Sequence, residues 1–186
     1  MPQTYQIAVF AGDGIGPEIT APTLEILTQL SQAAETYRLS FADLPAGAAH
    51  YRDTGESLPA AALEAARAAD AILLAAMGLP EVRYPDGTEI SPQIDLRKAL
   101  DLFAGVRPVR LGPGTPTPLR LPDGQAVDFV LIRESTEGLF HTQGCGTVEE
   151  DAAYETLKIT RATSEKLFRF AFDLAQARKA AGRGPG

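Results

Sequence analysis

Only one of the 186 residues is cysteine, Cys145, so the chain cannot close an internal disulfide. No apolar run is long enough to span a bilayer, and no charged segment followed by an apolar one marks a secretory leader. A cytoplasmic address is the default expectation. Basic residues are in the minority: 17 against 24 acidic ones give a net charge of −7, and no lysine- or arginine-rich run occurs. Neither a nucleic acid nor an anionic membrane is indicated as a partner, although small anions remain open at local basic sites. Internal repeats are absent as well. What is present is 45% hydrophobic content, ordinary for a globular chain able to bury a core.

The stretch Phe10-Ala-Gly-Asp-Gly-Ile-Gly-Pro-Glu18 places three glycines in five positions after an apolar run. Residues 5–10 read as a buried strand, and Pro17-Glu18 reads as the first turn of a helix, where proline loses no hydrogen bond and an early carboxylate suits the dipole. Strand, glycine turn and helix are how a dinucleotide fold begins. The spacing is GxGxG followed by proline, however, and Pro17 removes one amide that would cradle a pyrophosphate. Two readings stand: a phosphate site, or a close turn whose glycines supply positive φ.

Beyond this turn, apolar strands alternate with helical stretches. Ile19, Thr23, Ile26, Leu27 and Leu30 recur at helical spacing and predict an amphipathic helix over 17–34. Residues 37–44 read as a strand and 58–69, mostly alanine, as a helix. The run DAILLAAM (70–77) has the composition of a parallel strand covered on both faces. A third helix starts at Ser91-Pro92 with Leu96, Leu100 and Phe103 on its buried face, followed by a strand over 105–111. A proline–glycine loop (112–118) and the turn Pro122-Asp123-Gly124 precede a strand over 127–134. Residues 138–160 are β-like and polar, and 163–179 form a helix packing through Leu167, Phe170, Ala171 and Leu174. The alternation predicts α/β architecture with a mostly parallel sheet and flanking helices. A helix with an apolar face normally lies beside a further strand, so the fold looks unfinished at its last helix.

Three arginines carry the most chemical information. Arg133 ends an apolar strand, where ligands dock in open parallel sheets. Arg97 lies one helical turn after Gln93, with Ser91 almost two turns back on the same side. Arg107 follows at the next strand. Guanidinium forks match carboxylates, so two or three of them converging suit a small di- or tricarboxylic acid. Plainer readings stay open beside this one: Arg97 pairing with Asp101, Ser91 acting only as an N-cap, and Arg107 as a solvated strand end.

Taken together, IAVFAGDGIGPEIT, DLRKALDLFAGVRPVRL and DFVLIRESTEGLF resemble, in order and spacing, the isocitrate/isopropylmalate dehydrogenase family of β-decarboxylating dehydrogenases, which includes tartrate, D-malate and homoisocitrate enzymes. The resemblance runs from Ile7 to about Lys179. It implies NAD- or NADP-dependent oxidation of a 2-hydroxy acid with a malate core, followed by Mg²⁺- or Mn²⁺-assisted decarboxylation. It places the family's substrate-carboxylate arginines on Arg97, Arg107 and Arg133. Ser91 and Gln93 match positions that meet the variable substituent of the substrate and the nicotinamide end of the cofactor. By the same resemblance the glycine turn is not a dinucleotide fingerprint.

Two departures matter. The family's RENTEGxY motif has a tyrosine, thought to act in proton transfer, where this chain has Phe140, and a phenyl ring has no proton to give. Family chains are also substantially longer, and the part beyond holds the catalytic lysine, the metal-binding aspartates and the main dinucleotide loop. The resemblance therefore implies a truncated isopropylmalate dehydrogenase-like fold with a substrate clamp but no complete catalytic set and no metal ligands of its own. Residues 1–104 are expected as the first part of a large α/β domain, and 105–186 as part of a second. The segment 138–160 resembles the arm through which family members clasp a second subunit, which makes a homodimer the expected state. The alternative is a non-catalytic carboxylate-binding chain, or a regulatory partner of a full-length paralogue.

Overall fold

The segment Gln3–Phe10 becomes β1, the central strand of a three-stranded parallel sheet in the computed structural model, which describes residues 2–112, 114–120 and 127–183. The expected turn at Pro122-Asp123-Gly124 lies outside the described residues. Parallel neighbours need crossovers, and helices supply them. From β1 the chain passes through α1 (Gly16–Ala33) to β2 (Tyr37–Asp43), then through α2 (Ala48–Thr54) and α3 (Ala60–Ala68) to β3 (Ala71–Leu74) on the other side of β1. The order β2-β1-β3 puts all three carboxyl ends on one edge. Side chains alternate along β1, so Ala8 and Phe10 enter a core with Ala62 and Ala66 of α3 and Leu96 of α4 (Pro92–Ala99), while Val9 is buried on the opposite face. Phe10 is fully buried, and the alanines of α3 let that helix approach it closely.

Several expectations shift in detail. The helix α2 was not anticipated from composition. The strand expected over 70–77 stops at Leu74, because the backbone beyond it serves the glycine turn: the Ala75 amide donates to Phe10, and the Asp13 amide donates to the Ala76 carbonyl. Nor is β3 covered as a central strand would be, since Leu74 is partly exposed. On α1 the inward face carries Gly16, Thr20 and Ser31, whose hydroxyls are satisfied by backbone: Thr20 donates to the Gly16 carbonyl and Ser31 accepts from the Leu39 amide. Ile19, Ile26 and Leu30, expected on the buried stripe, instead lie on the exposed side with Ile15.

The chain divides into two compact units, Met1–Leu100 and Asp101–Gly186. In the second, β4 (Ala104–Arg110) and β5 (Asp128–Glu134) pair antiparallel. Phe103 therefore leaves the helix face on which it was expected and meets Phe170 edge to face at 6.1 Å. That partner belongs to α5 (Arg161–Ala180), which packs through the expected Leu167, Phe170, Ala171 and Leu174, all half-buried. Arg178 ties its end to the Asp128 carboxylate at 2.6 Å. Between β5 and α5 the expected β-like segment is mostly turns, with strands β6 (Thr147–Val148) and β7 (Ala153–Tyr154) forming one short antiparallel pair. Among the described residues no helix is long and apolar enough to cross a membrane.

The exposed apolar residues generate a prediction. Ile15 just before α1, Ile19, Ile26 and Leu30 on α1, and Phe168 and Phe172 on α5 are each at least 44% exposed. Burying one such side chain contributes about 1.5–3 kcal/mol, against a typical domain stability of about 5–15 kcal/mol. Residues 1–186 alone are expected to bind a hydrophobic dye and to melt broadly. Co-expression with the C-terminal half of a longer relative should sharpen the melt and suppress the dye signal; a sharp, dye-silent melt of the chain alone would contradict this.

Candidate functional site

Three loops meet at the carboxyl edge of the parallel sheet, and Asp13 joins them. Its carboxylate accepts from the amides of Ala48 (2.5 Å) and Ala49 (3.1 Å) at the start of α2, and from that of Gly78 (2.6 Å) after β3. The side chain is buried. Gly47, at φ 119°, is required beside it, because a Cβ there would collide with the carboxylate. The glycines of the turn have structural reasons of their own: Gly12 (φ 72°) and Gly14 (φ 59°) take positive φ, and a Cβ on Gly12 or Gly16 would collide with the Ala76 carbonyl. That favours the close-turn reading, with the Asp13 carboxylate joining the loops around it.

From Gly78 the chain runs to α4, which carries Ser91, Gln93 and Arg97. Leu96, 2% exposed, anchors α4 in the core, and this fixes the rotation at which Gln93 and Arg97, four residues apart, share a half-buried face. Ser91 occupies the N-cap position but makes no capping hydrogen bond with its side chain, so the plain capping role does not account for it. Gln93 Oε1 is buried and has no hydrogen-bond partner. An unsatisfied buried acceptor costs about 1–3 kcal/mol, and a ligand donor would relieve it. The carboxylate of Asp101 is held by Lys166 at 2.5 Å.

Arg107 and Arg133 lie in the second unit. Gly105 stands opposite Arg133, and Arg107 stands opposite Leu131. Opposite residues, and residues two apart, project to one face. The two arginines are therefore diagonal neighbours, sharing a face with Phe129 and Leu131, which are 49% and 54% exposed. The other face of β5 is the half-buried one that carries Asp128, the partner of Arg178 in α5. The parallel-sheet rationale for Arg133 does not hold, since β5 is antiparallel to β4. What places Arg133 is register. Opposite it, Gly105 has no side chain, and a Cβ there would crowd Ser135 Oγ at 2.9 Å.

After β5 the backbone is held by two carboxylates. Glu134 accepts from the Thr136 amide and hydroxyl at 2.6 Å and from the Glu137 amide at 2.7 Å. Glu137 accepts from the Thr160 amide and hydroxyl at 2.8 Å and from the Thr163 hydroxyl at 3.1 Å, at the N-terminus of α5. The turn at Gly138 (φ 67°) then brings the Phe140 ring under the Arg133 guanidinium, 5.5 Å from carbon to centroid.

The model for the isocitrate/isopropylmalate dehydrogenase family matches residues 6–183. This chain belongs to that family. It is 40% identical over 178 residues to a 3-isopropylmalate dehydrogenase of Corynebacterium glutamicum, covering 94% of this chain and 50% of the relative. A 3-isopropylmalate dehydrogenase of Rhodococcus opacus is 41% identical over 179 residues with the same coverage. Among solved structures, isocitrate dehydrogenase from Methylococcus capsulatus superposes with a TM-score of 0.75 at 30% identity, over 94% of this chain and 48% of that one. A β-decarboxylating dehydrogenase from Thermococcus kodakarensis gives 0.66 at 32% identity, over 94% and 46%. The chain spans about half the length of the curated relatives it matches.

Within this member of the family, Ser91, Gln93 and Arg97 share α4 in the first unit, while Arg107, Arg133 and Phe140 are gathered in the second. Asp13, Glu134 and Glu137 escaped the sequence reading. Their signals were an aspartate between two glycines, and acidic residues three apart followed, over twenty residues later, by Thr160-x-x-Thr163.

The Glu137 pKa is lowered, first by the Thr160 amide and hydroxyl and then by the Thr163 hydroxyl, against the effect of burial. For Glu134 the largest influence is burial, which raises the pKa, but the combined hydrogen bonds of Thr136, Glu137 and Ser135 bring the net value down. A folded pKa below the unfolded one means that the unfolded state binds more protons in acid. Their stabilisation is complete above the unfolded value, about 4.3, and is lost as pH falls through the folded value. Glu137→Gln is expected to flatten the acid limb of the stability profile below about pH 5, as read by urea unfolding at stepped pH. An unchanged limb would contradict the assignment.

Proposed function

We propose that this chain supplies the carboxylate-holding half of an NAD- or NADP-dependent β-decarboxylating dehydrogenase acting on a malate-core 2-hydroxy acid. The observation that carries the reading is the pair Arg107 and Arg133, side by side on the open face of β4 and β5 in a chain of this family. Their planar forks suit the carboxylates of such an acid; by the family resemblance, Arg97 on α4 of the first unit also belongs to the carboxylate-binding arginines. Ser91 and Gln93 meet the substituent that distinguishes one substrate from another and the nicotinamide end of the cofactor. The nicotinamide, when bound, takes the hydride, and Mg²⁺ or Mn²⁺, when bound, draws off charge in decarboxylation.

Neither group is assigned a seat within this chain. Among the described residues no three His, Cys, Asp or Glu side chains are placed to hold a metal ion, and the Asp13 carboxylate of the glycine turn is engaged by the amides of Ala48, Ala49 and Gly78. The reading extends to a cytoplasmic enzyme, paired through the segment 138–160 with a second copy or a paralogue. Phe140 favours a second reading, a non-catalytic carboxylate-binding or regulatory chain, because no phenolic proton is available at that position.

Titration of D-malate into residues 1–186 is expected to show saturable binding, and no turnover with either nicotinamide and Mg²⁺. Arg107→Ala or Arg133→Ala should weaken binding by about 10- to 100-fold, the loss of a charge-assisted contact of about 1.5–3 kcal/mol. Binding that ignores both substitutions would defeat the proposal.

Substrate preference tests Gln93. An isopropyl group leaves the Gln93 acceptor unpaired, so a substituent that donates a hydrogen bond is favoured over a branched alkyl group. In a version completed by the second half of a relative, Gln93→Leu is expected to shift kcat/KM toward isopropylmalate by about tenfold or more. An unshifted ratio would show that Gln93 does not read the substituent.

A further inference from the structure

The geometry points to Phe140 as a positioning residue for Arg133, a platform on which the guanidinium is held with its in-plane N–H donors left for a carboxylate. The inference rests on the proposed role of Arg133. Arg133 is exposed and stands opposite Gly105, which has no side chain with which to support it. A long charged side chain so placed samples many rotamers and loses that freedom on gripping a ligand. Its guanidinium carbon lies over the half-buried Phe140 ring at 5.5 Å from the centroid, within cation–π range. The attraction acts through the ring face and consumes no N–H donor. Phe140 is itself fixed from behind: Glu137 is bound to Thr160 and Thr163 of the α5 N-terminus, the Gly138 amide donates to the Lys158 carbonyl, and the chain turns at Gly138. The aromatic position thus keeps a task that needs only a ring, with no proton transfer involved.

The test combines two readouts on residues 1–186 and their variants, each co-expressed with the C-terminal half of a longer relative. In arginine-labelled protein without ligand, the Arg133 side-chain resonances are expected to carry a ring-current shift that Phe140→Leu removes and Phe140→Tyr retains. In calorimetric titration with D-malate, Phe140→Leu should weaken binding by about two- to fivefold, as an exposed cation–π contact implies. Phe140→Tyr should restore wild-type affinity, and Phe140→Leu should have no further effect in an Arg133→Ala background. An Arg133 ring-current shift absent from the wild type would overturn the inference, as would a Phe140→Tyr variant as weak as Phe140→Leu. If the shift is present but D-malate does not bind the wild type, the carboxylate role of Arg133 falls, and the inference falls with it.

Discussion

Carboxylates of the chain itself fill the places where its backbone gathers hydrogen-bond donors, and the loops around the candidate site depend on them. Asp13 binds the amides of Ala48, Ala49 and Gly78, and so ties together the segments leaving all three parallel strands. Glu137 accepts from the Thr160 amide and from the Thr160 and Thr163 hydroxyls, tying the turn after β5 to the start of α5. In both places a carboxylate of the chain itself sits at a helix start, where the dipole favours negative charge. On the proposed reading, the carboxylates of the acid are held by arginine side chains, Arg107 and Arg133 on the open face of β4 and β5.

This division explains what was legible in the sequence. Strands and long helices follow from periodicity, and β1, β2, α1 and α5 occur within a few residues of their expected bounds. The end of β3 was not legible, because the backbone of Ala75 and Ala76 is claimed by a turn some sixty residues earlier in the chain. The stripe on α1 was misjudged for a related reason. Periodicity ranks isoleucine above serine and threonine for burial, but Thr20 and Ser31 are small and find backbone partners at a crowded surface.

The site was legible in its residue types and less so in the reasons for their placement. Arg133 was expected at the edge of a parallel sheet and stands instead on a two-stranded antiparallel ribbon, where strand register makes it a diagonal neighbour of Arg107. Spacing along the chain cannot reveal a register set by pairing across a long connection. The unpaired Oε1 of Gln93 was likewise invisible, since it follows from how Leu96 turns α4.

The central proposal is that the chain holds the acid, and that a C-terminal half of the kind its longer relatives carry completes the chemistry. Its most direct test is reconstitution: residues 1–186 mixed with the C-terminal half of a longer relative, and nicotinamide reduction followed with D-malate and Mg²⁺. The account predicts reduction by the mixture, none by either half alone, and loss of the signal with Arg133→Ala. Turnover by the chain alone, or activity of the mixture that is indifferent to Arg133→Ala, would contradict it.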